Sequence, residues 1–172
     1  LHEQKLIQEL SQSVACGFEG FYLVYQPICT ADSLRLVGAE ALLRYESPEF
    51  GRIRPDNFVP LLEREGLMSD VGMWAFRQAV SVCKTWVEQL PEFTMNVNVS
   101  LYQSLGDGFS QRVFQTLNEI GLPPEHLVLE LTESCFADEE SGVAQTLSTL
   151  RAGGIRLAID DFGTGYSSLG RL

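Results

Sequence analysis

No stretch of this sequence stays apolar for the ~20 residues that a membrane-spanning helix needs. Its start lacks the hydrophobic segment of a secretion signal, and its first residue is Leu1, so the chain reads as part of something longer. Basic residues are scarce, with 12 Lys and Arg against 23 Asp and Glu and a net charge of −11. That balance argues against gripping a nucleic-acid polymer or an anionic membrane surface. An acidic protein that handles phosphate brings cations to the task, as bound metals or as a few placed Arg and Lys side chains. His2 and His126 are too few and too far apart for a zinc site. Cys16, Cys29, Cys83 and Cys135 form no C-x-x-C pair and read as reduced thiols of a cytosolic protein. A P-loop G-K-S/T is missing, and in "GTGYSS" Ser168 stands where the third glycine of G-x-G-x-x-G belongs.

What is present alternates. "FYLVYQPIC" (21–29), "LVGAEALLRY" (36–45), "FTMNVNVS" (93–100), "LVLELTES" (127–134) and "IRLAIDDF" (155–162) read as strands, rich in apolar and β-branched residues. Helical patterns lie between them at 56–65 behind Pro55, at 70–90 before Pro91, at 109–120 before Gly121 and at 139–152 before Gly153-Gly154. Trp74 and Trp86 on the second of these read as core. From the second strand onward the order is strand, helix, strand, helix, which predicts parallel strands joined by crossover helices. A full barrel of this kind takes eight strands and ~250 residues, so five strands predict either an open sheet or a barrel seen in part. A polar helix from Glu3 to Val14 precedes them, and residues 1–17 read as a linker from an upstream domain.

Polar residues sit where such strands should be apolar. In "FTMNVNVS" the period of two sends Phe93, Met95, Val97 and Val99 to one face and Asn96, Asn98 and Ser100 to the other. Buried amides without partners are costly. Glu40 in "VGAEALLR", Glu130 in "LVLELTE" and Asp160 in "LAIDD" repeat the oddity near the C-terminal ends of other strands, where parallel α/β proteins build their sites. Oxygen donors converging from four strands suit Mg²⁺, Mn²⁺ or Ca²⁺ better than zinc. The adjacent Asp161 suggests a second, neighbouring ion. Arg44 has two readings, an ion pair with Glu46 or Glu40, or a contact to phosphate.

Taken in order, Tyr25-Gln26-Pro27, "GAEALLR" (38–44), "FVPLLE" (58–63), "GMW" (72–74), "NVS" (98–100), "ELTE" (130–133) and "DDFGTGYSSL" (160–169) resemble the EAL-domain family of cyclic-di-GMP phosphodiesterases. The resemblance runs from about Phe18 to the last residue and implies an α/β fold, a TIM-like (β/α)8 barrel whose first strand is antiparallel, here truncated after about five strands. It implies that Glu40, Asn98, Glu130 and Asp160 ligate a first Mg²⁺ or Mn²⁺, with Asp160 and Asp161 shared with a second. It implies catalytic roles for Glu40 and for Glu133, the latter anchoring the "DFGTGYSS" loop, and a substrate pocket lined by Gln26, Leu43 and Arg44. The implied reaction is hydrolysis of cyclic-di-GMP to linear pGpG, part of bacterial second-messenger signalling, in a soluble domain; the open strand edges of a barrel cut short predict that the 172-residue piece dimerises or self-associates. The alternative is a non-catalytic cyclic-di-GMP receptor module. Tyr45 stands where the family more often has Trp. The family's water-activating Lys and a further acidic ligand fall beyond Leu172, so the 172-residue piece is expected to be inactive.

Overall fold

The alternation of apolar and polar residues becomes a sheet that carries helices on one face and half-exposed polar side chains on the other. The computed structural model describes residues 2–100, 108–132 and 142–160. In chain order these form α1 (His2–Ala15), β1 (Phe21–Cys29), β2 (Leu36–Ser47), β3 (Gly51–Ile53), α2 (Pro55–Arg64), α3 (Met68–Val87), β4 (Thr94–Val99), α4 (Phe109–Ile120), a 3₁₀ turn (Pro124–His126), β5 (Leu127–Thr132), α5 (Val143–Ala152) and β6 (Arg156–Asp160). The sheet order is β1-β2-β4-β5-β6, with β3 also on β2. β1 runs antiparallel to β2, as the resemblance implied, while the β2–β4, β4–β5 and β5–β6 pairs are parallel.

The structure departs from the expectations at β3 and at the ends of α3. The short β3 was not foreseen, because three residues of "GRI" carry no readable period; it hairpins back on β2, pairing Tyr45 with Ile53 and Ser47 with Gly51. α3 begins at Met68 and ends at Val87, short of Pro91, with the amide of Leu90 bonding the Trp86 carbonyl at 2.9 Å. By contrast α4 stops where its glycine signals. Gly121 adopts φ 75°, and its amide and that of Leu122 both bond the Leu117 carbonyl, at 2.8 and 3.1 Å. That turn drops Leu122 into the core.

Odd-numbered residues of the strands face the helices. Ala39, Ala41, Met95, Val97, Leu129 and Leu131 are buried in one cluster against Phe76 and Val80 of α3, Val113 and Leu117 of α4, and Leu147 and Leu150 of α5. A second cluster joins Phe21, Tyr45, Phe58, Leu62 and Val71 to Leu6 and Leu10 of α1. The helix read as a linker is therefore docked. Its polar character hid two leucines four residues apart on one stripe, the period at which a single helix face repeats. Polar contacts fix it further: Ser13 Oγ and Tyr45 Oη lie 2.9 Å apart, and the buried Ser47 donates its hydroxyl to Glu9. The same Ser47 oxygen accepts from the amides of Glu49 and Phe50 at 3.2 and 2.9 Å, which shapes the turn into β3. The Lys5–Glu49 and Arg64–Glu3 ion pairs also hold α1 but are exposed, and such pairs contribute little. Among the described residues no helix is long and apolar enough to cross a membrane.

β2 and β4 approach so closely at Gly38 that a Cβ there would lie 2.6 Å from the Thr94 carbonyl oxygen and 2.9 Å from Thr94 Oγ1. Gly38→Ala should destabilise the fold by about 1–3 kcal/mol, the usual cost of overpacking. A lowered denaturation midpoint at unchanged slope checks this, and an unchanged midpoint contradicts it.

Cys16 and Cys29 are free and exposed, whereas Cys83 is fully buried, and burial pushes its thiol up to about 12. Iodoacetamide at neutral pH should label Cys16 and Cys29 and spare Cys83 until the protein unfolds; native labelling of Cys83, read by mass spectrometry, contradicts the burial. Because the folded thiol ionises at higher pH than the unfolded one, stability should be intact below about pH 9 and fall as pH rises toward 12.

Candidate functional site

Strand alternation turns the even-numbered residues of β1, β2, β4 and β5 to the face without helices. Glu40 of β2 lies level with Gln26 of β1 on one side and Asn96 of β4 on the other. Asn98 of β4 lies level with Glu130 of β5, and Glu130 in turn with Ala158 of β6. All of these face residues are half-buried except Gln26 and Asn98, which are exposed.

The side chains bond across levels. Asn98 Nδ2 donates to Glu40 Oε1 at 2.8 Å, reaching from one level to the next along the strands. Asn96 Nδ2 donates to Glu130 Oε1 at 2.6 Å, reaching the opposite way. β4 thus sends one amide to each neighbouring strand, and each amide holds one carboxylate. This answers the polarity noted in "MNVNVS": an amide–carboxylate bond satisfies both partners on a half-buried face.

Arg44 is half-buried four residues beyond Glu40 on the same face of β2, level with Tyr22. Its Nη1 donates to the Leu43 carbonyl at 2.8 Å, and among the described residues it forms no ion pair with Glu40 or Glu46. Leu43 does not join the site through its side chain. The odd position turns it to the helix face, where it packs against the second apolar cluster and offers the site only its backbone oxygen. Asp160 ends β6 level with Thr132, one two-residue step beyond the Glu130–Ala158 level. Glu133, Asp161 and the "GTGYSS" loop lie outside the described residues.

Two residues without a role in the sequence reading border the site. Asn96 is one; its alternation with Asn98 was the signal. Glu63, the acid of "FVPLLE" near the end of α2, shares a hydrogen bond with Ser100, the residue after β4 on the Asn98 face. Burial holds the Glu63 carboxyl above the usual carboxylate range, against the opposing effect of Ser100. A small hollow of about 160 Å³ lined by Tyr25, Leu36, Trp86 and Phe93 sits at the N-terminal ends of β2 and β4. Its apolar walls and its place at the far end of the strands separate it from the carboxylates.

Among the described residues no group of three or more His, Cys, Asp or Glu could hold an ion. The gathered donors are instead two carboxylates and two amides, with Asp160 placed by backbone register. All-oxygen donors of this kind match hard divalent cations, and neither thiol nor imidazole is among them. Because Asn98 gives its nitrogen to Glu40, the atom it has left to offer an ion is its oxygen.

The chain matches the EAL domain model over residues 7–172, a match that begins inside α1. It is 38% identical over 148 residues to the bifunctional diguanylate cyclase/cyclic di-GMP phosphodiesterase MucR of Pseudomonas aeruginosa, covering 86% of this chain and 22% of that protein. A cyclic di-GMP phosphodiesterase of the same organism is 35% identical over 163 residues, covering 95% of this chain and 28% of the relative. The chain therefore spans less than a third of the length of these relatives. Among solved structures, the MucR phosphodiesterase in complex with c-di-GMP superposes with a TM-score of 0.86 at 35% identity, over 95% of this chain and 66% of the other. The EAL enzyme Bd1971, in a form bound to cAMP and cyclic-di-GMP, gives 0.89 at 30% identity, over 98% and 46%. The six described strands form an open sheet that matches part of the barrel in these structures. With that match over nearly its whole length, the chain belongs to the EAL-domain family.

Proposed function

We propose that this protein hydrolyses one phosphodiester of cyclic-di-GMP to give linear pGpG, with Mg²⁺ or Mn²⁺ held by Glu40, Asn98, Glu130 and Asp160, and a second ion shared by Asp160 and Asp161. The observation that carries the reading is the row of oxygen donors on the helix-free face, with Glu40 and Glu130 each gripped by an asparagine of β4. Relatives named as cyclic di-GMP phosphodiesterases, and a related structure in complex with c-di-GMP, support the choice of substrate.

Electrostatics gives the reading its physical sense. A cyclic dinucleotide carries two phosphate charges, and a face bearing Glu40 and Glu130 in a protein of net charge −11 repels them. A divalent cation held by Glu40, Asn98, Glu130 and Asp160 would offset that charge, polarise the phosphate and lower the pKa of a bound water. The chain's own residues have separable tasks. Asn98 and Asn96 fix the two carboxylates, so the donors are in place before substrate arrives. Arg44, free of a carboxylate partner among the described residues, meets the phosphate with its positive charge. Gln26, level with Glu40, offers an exposed amide to the ligand's polar edge. Glu133 anchors the glycine-rich loop in this proposal.

The test is turnover of cyclic-di-GMP by the full-length protein with Mn²⁺, with Mg²⁺ and with EDTA. Hydrolysis that stops with EDTA supports the reading, and tight binding without turnover favours the receptor alternative. Glu40→Ala should lower kcat by ~10²-fold or more, the scale of losing one preorganised transition-state contact. Its melting temperature in EDTA should hold, because Glu40 lies outside the apolar clusters. An active Glu40→Ala protein refutes the ligand assignment.

Arg44→Ala should cost about 10–100-fold in kcat/KM, the value of one charge-assisted hydrogen bond. Arg44→Lys should recover part of it. Unchanged kinetics in Arg44→Ala would place the guanidinium outside the substrate site.

A further inference from the structure

The register makes Asn96 a different kind of residue from Asn98. Asn96 sits one level nearer the N-terminal end of β4, beside Glu40 and Val128 in the ladder, away from the end where Asp160 lies. Its amide nitrogen does not serve its level neighbour Glu40. It crosses to Glu130 on the next strand, at 2.6 Å, and does so from a half-buried position. This is the shorter of the two amide–carboxylate bonds on the face.

We infer that Asn96 is a positioning residue that orients the Glu130 carboxylate for a divalent cation without ligating the ion itself. The inference rests on the metal-site reading above. Three physical points carry it. A carboxylate on a four-bond side chain has several rotamers, and one strong donor selects among them at low entropic cost. The donor is fixed because Asn96 is in mid-strand: its amide and carbonyl belong to the parallel ladders of β4 with β2 and β5, and Met95 and Val97 on either side are buried. Finally, the two asparagines divide the carboxylates between them, so removing Asn96 takes one short donor from Glu130 Oε1 and leaves the Asn98–Glu40 bond in place. Partners of this kind around metal ligands are typically worth 10–100-fold in metal affinity.

The experiment is Mn²⁺ binding by the full-length protein, without substrate, followed by electron paramagnetic resonance and calorimetry, for wild type, Asn96→Ala and Asn96→Val. The valine variant keeps strand propensity, so it stands in should the alanine variant fail to fold. Melting in EDTA identifies which variants are folded. The expected result is a 10–100-fold weaker Mn²⁺ affinity in the folded variant with a melting temperature near wild type, and a broadened Mn²⁺ spectrum that reports a looser ligand set. Wild-type affinity in a folded variant overturns the role of Asn96 and leaves the metal-site reading standing. A wild-type protein that binds no Mn²⁺ overturns that reading and this inference with it. A folded variant that loses affinity only in proportion to a large fall in melting temperature also overturns it, since the effect is then structural.

Discussion

Side chains alternate along a strand, and the row of candidate residues on β1, β2, β4 and β5 depends on that period of two. β4 shows it most plainly. One face of its six residues supplies Met95, Val97 and Val99 to the apolar core, and the other supplies Asn96 and Asn98 to the carboxylates of β2 and β5. A slip of one residue would bury two amides and expose three apolar side chains, so the packing of the helix face pins the chemistry of the other. The close approach at Gly38 pins the same register from β2.

Two carboxylates on one half-buried face need partners or a counterion. β4 provides the partners, sending one amide each way across the parallel strands. The asparagines are neutral, so they satisfy hydrogen bonds without cancelling the negative charge, and the face remains suited to a cation. Arg44 is placed apart, its guanidinium bonded to the Leu43 carbonyl and not to Glu40. That separation keeps opposite charges available to different chemical groups.

The second apolar cluster holds the rim of this arrangement. Tyr45 is almost fully buried between Phe21 and Phe58, and its hydroxyl meets Ser13 of α1. A tyrosine there keeps an aromatic ring in the cluster and gives the docked helix a hydroxyl to bind. Because Arg44 is the adjacent residue on the opposite face, the packing of Tyr45 also sets where that guanidinium begins.

Much of this was legible before any coordinates. Apolar alternation and terminal Pro and Gly signals placed five strands and four crossover-type helices within a few residues, since these are local properties of the chain. The oxygen-bearing strand positions were legible for the same reason: Glu40, Asn96, Asn98 and Glu130 break an apolar pattern that strands otherwise keep. β3 was hidden because three residues carry no period, and the docking of α1 because two leucines in a polar helix become core only when β2 and α2 lie beside them. The parity of Leu43 turns its side chain to the helix face and leaves its backbone carbonyl as the atom nearest the site. The sequence by itself determined which residues are acids and amides and which face of each strand they occupy, because the period of a strand is covalent in origin. Only the tertiary structure decided which amide meets which carboxylate, because that depends on the register between strands distant in the chain, and register is set by packing across the whole sheet.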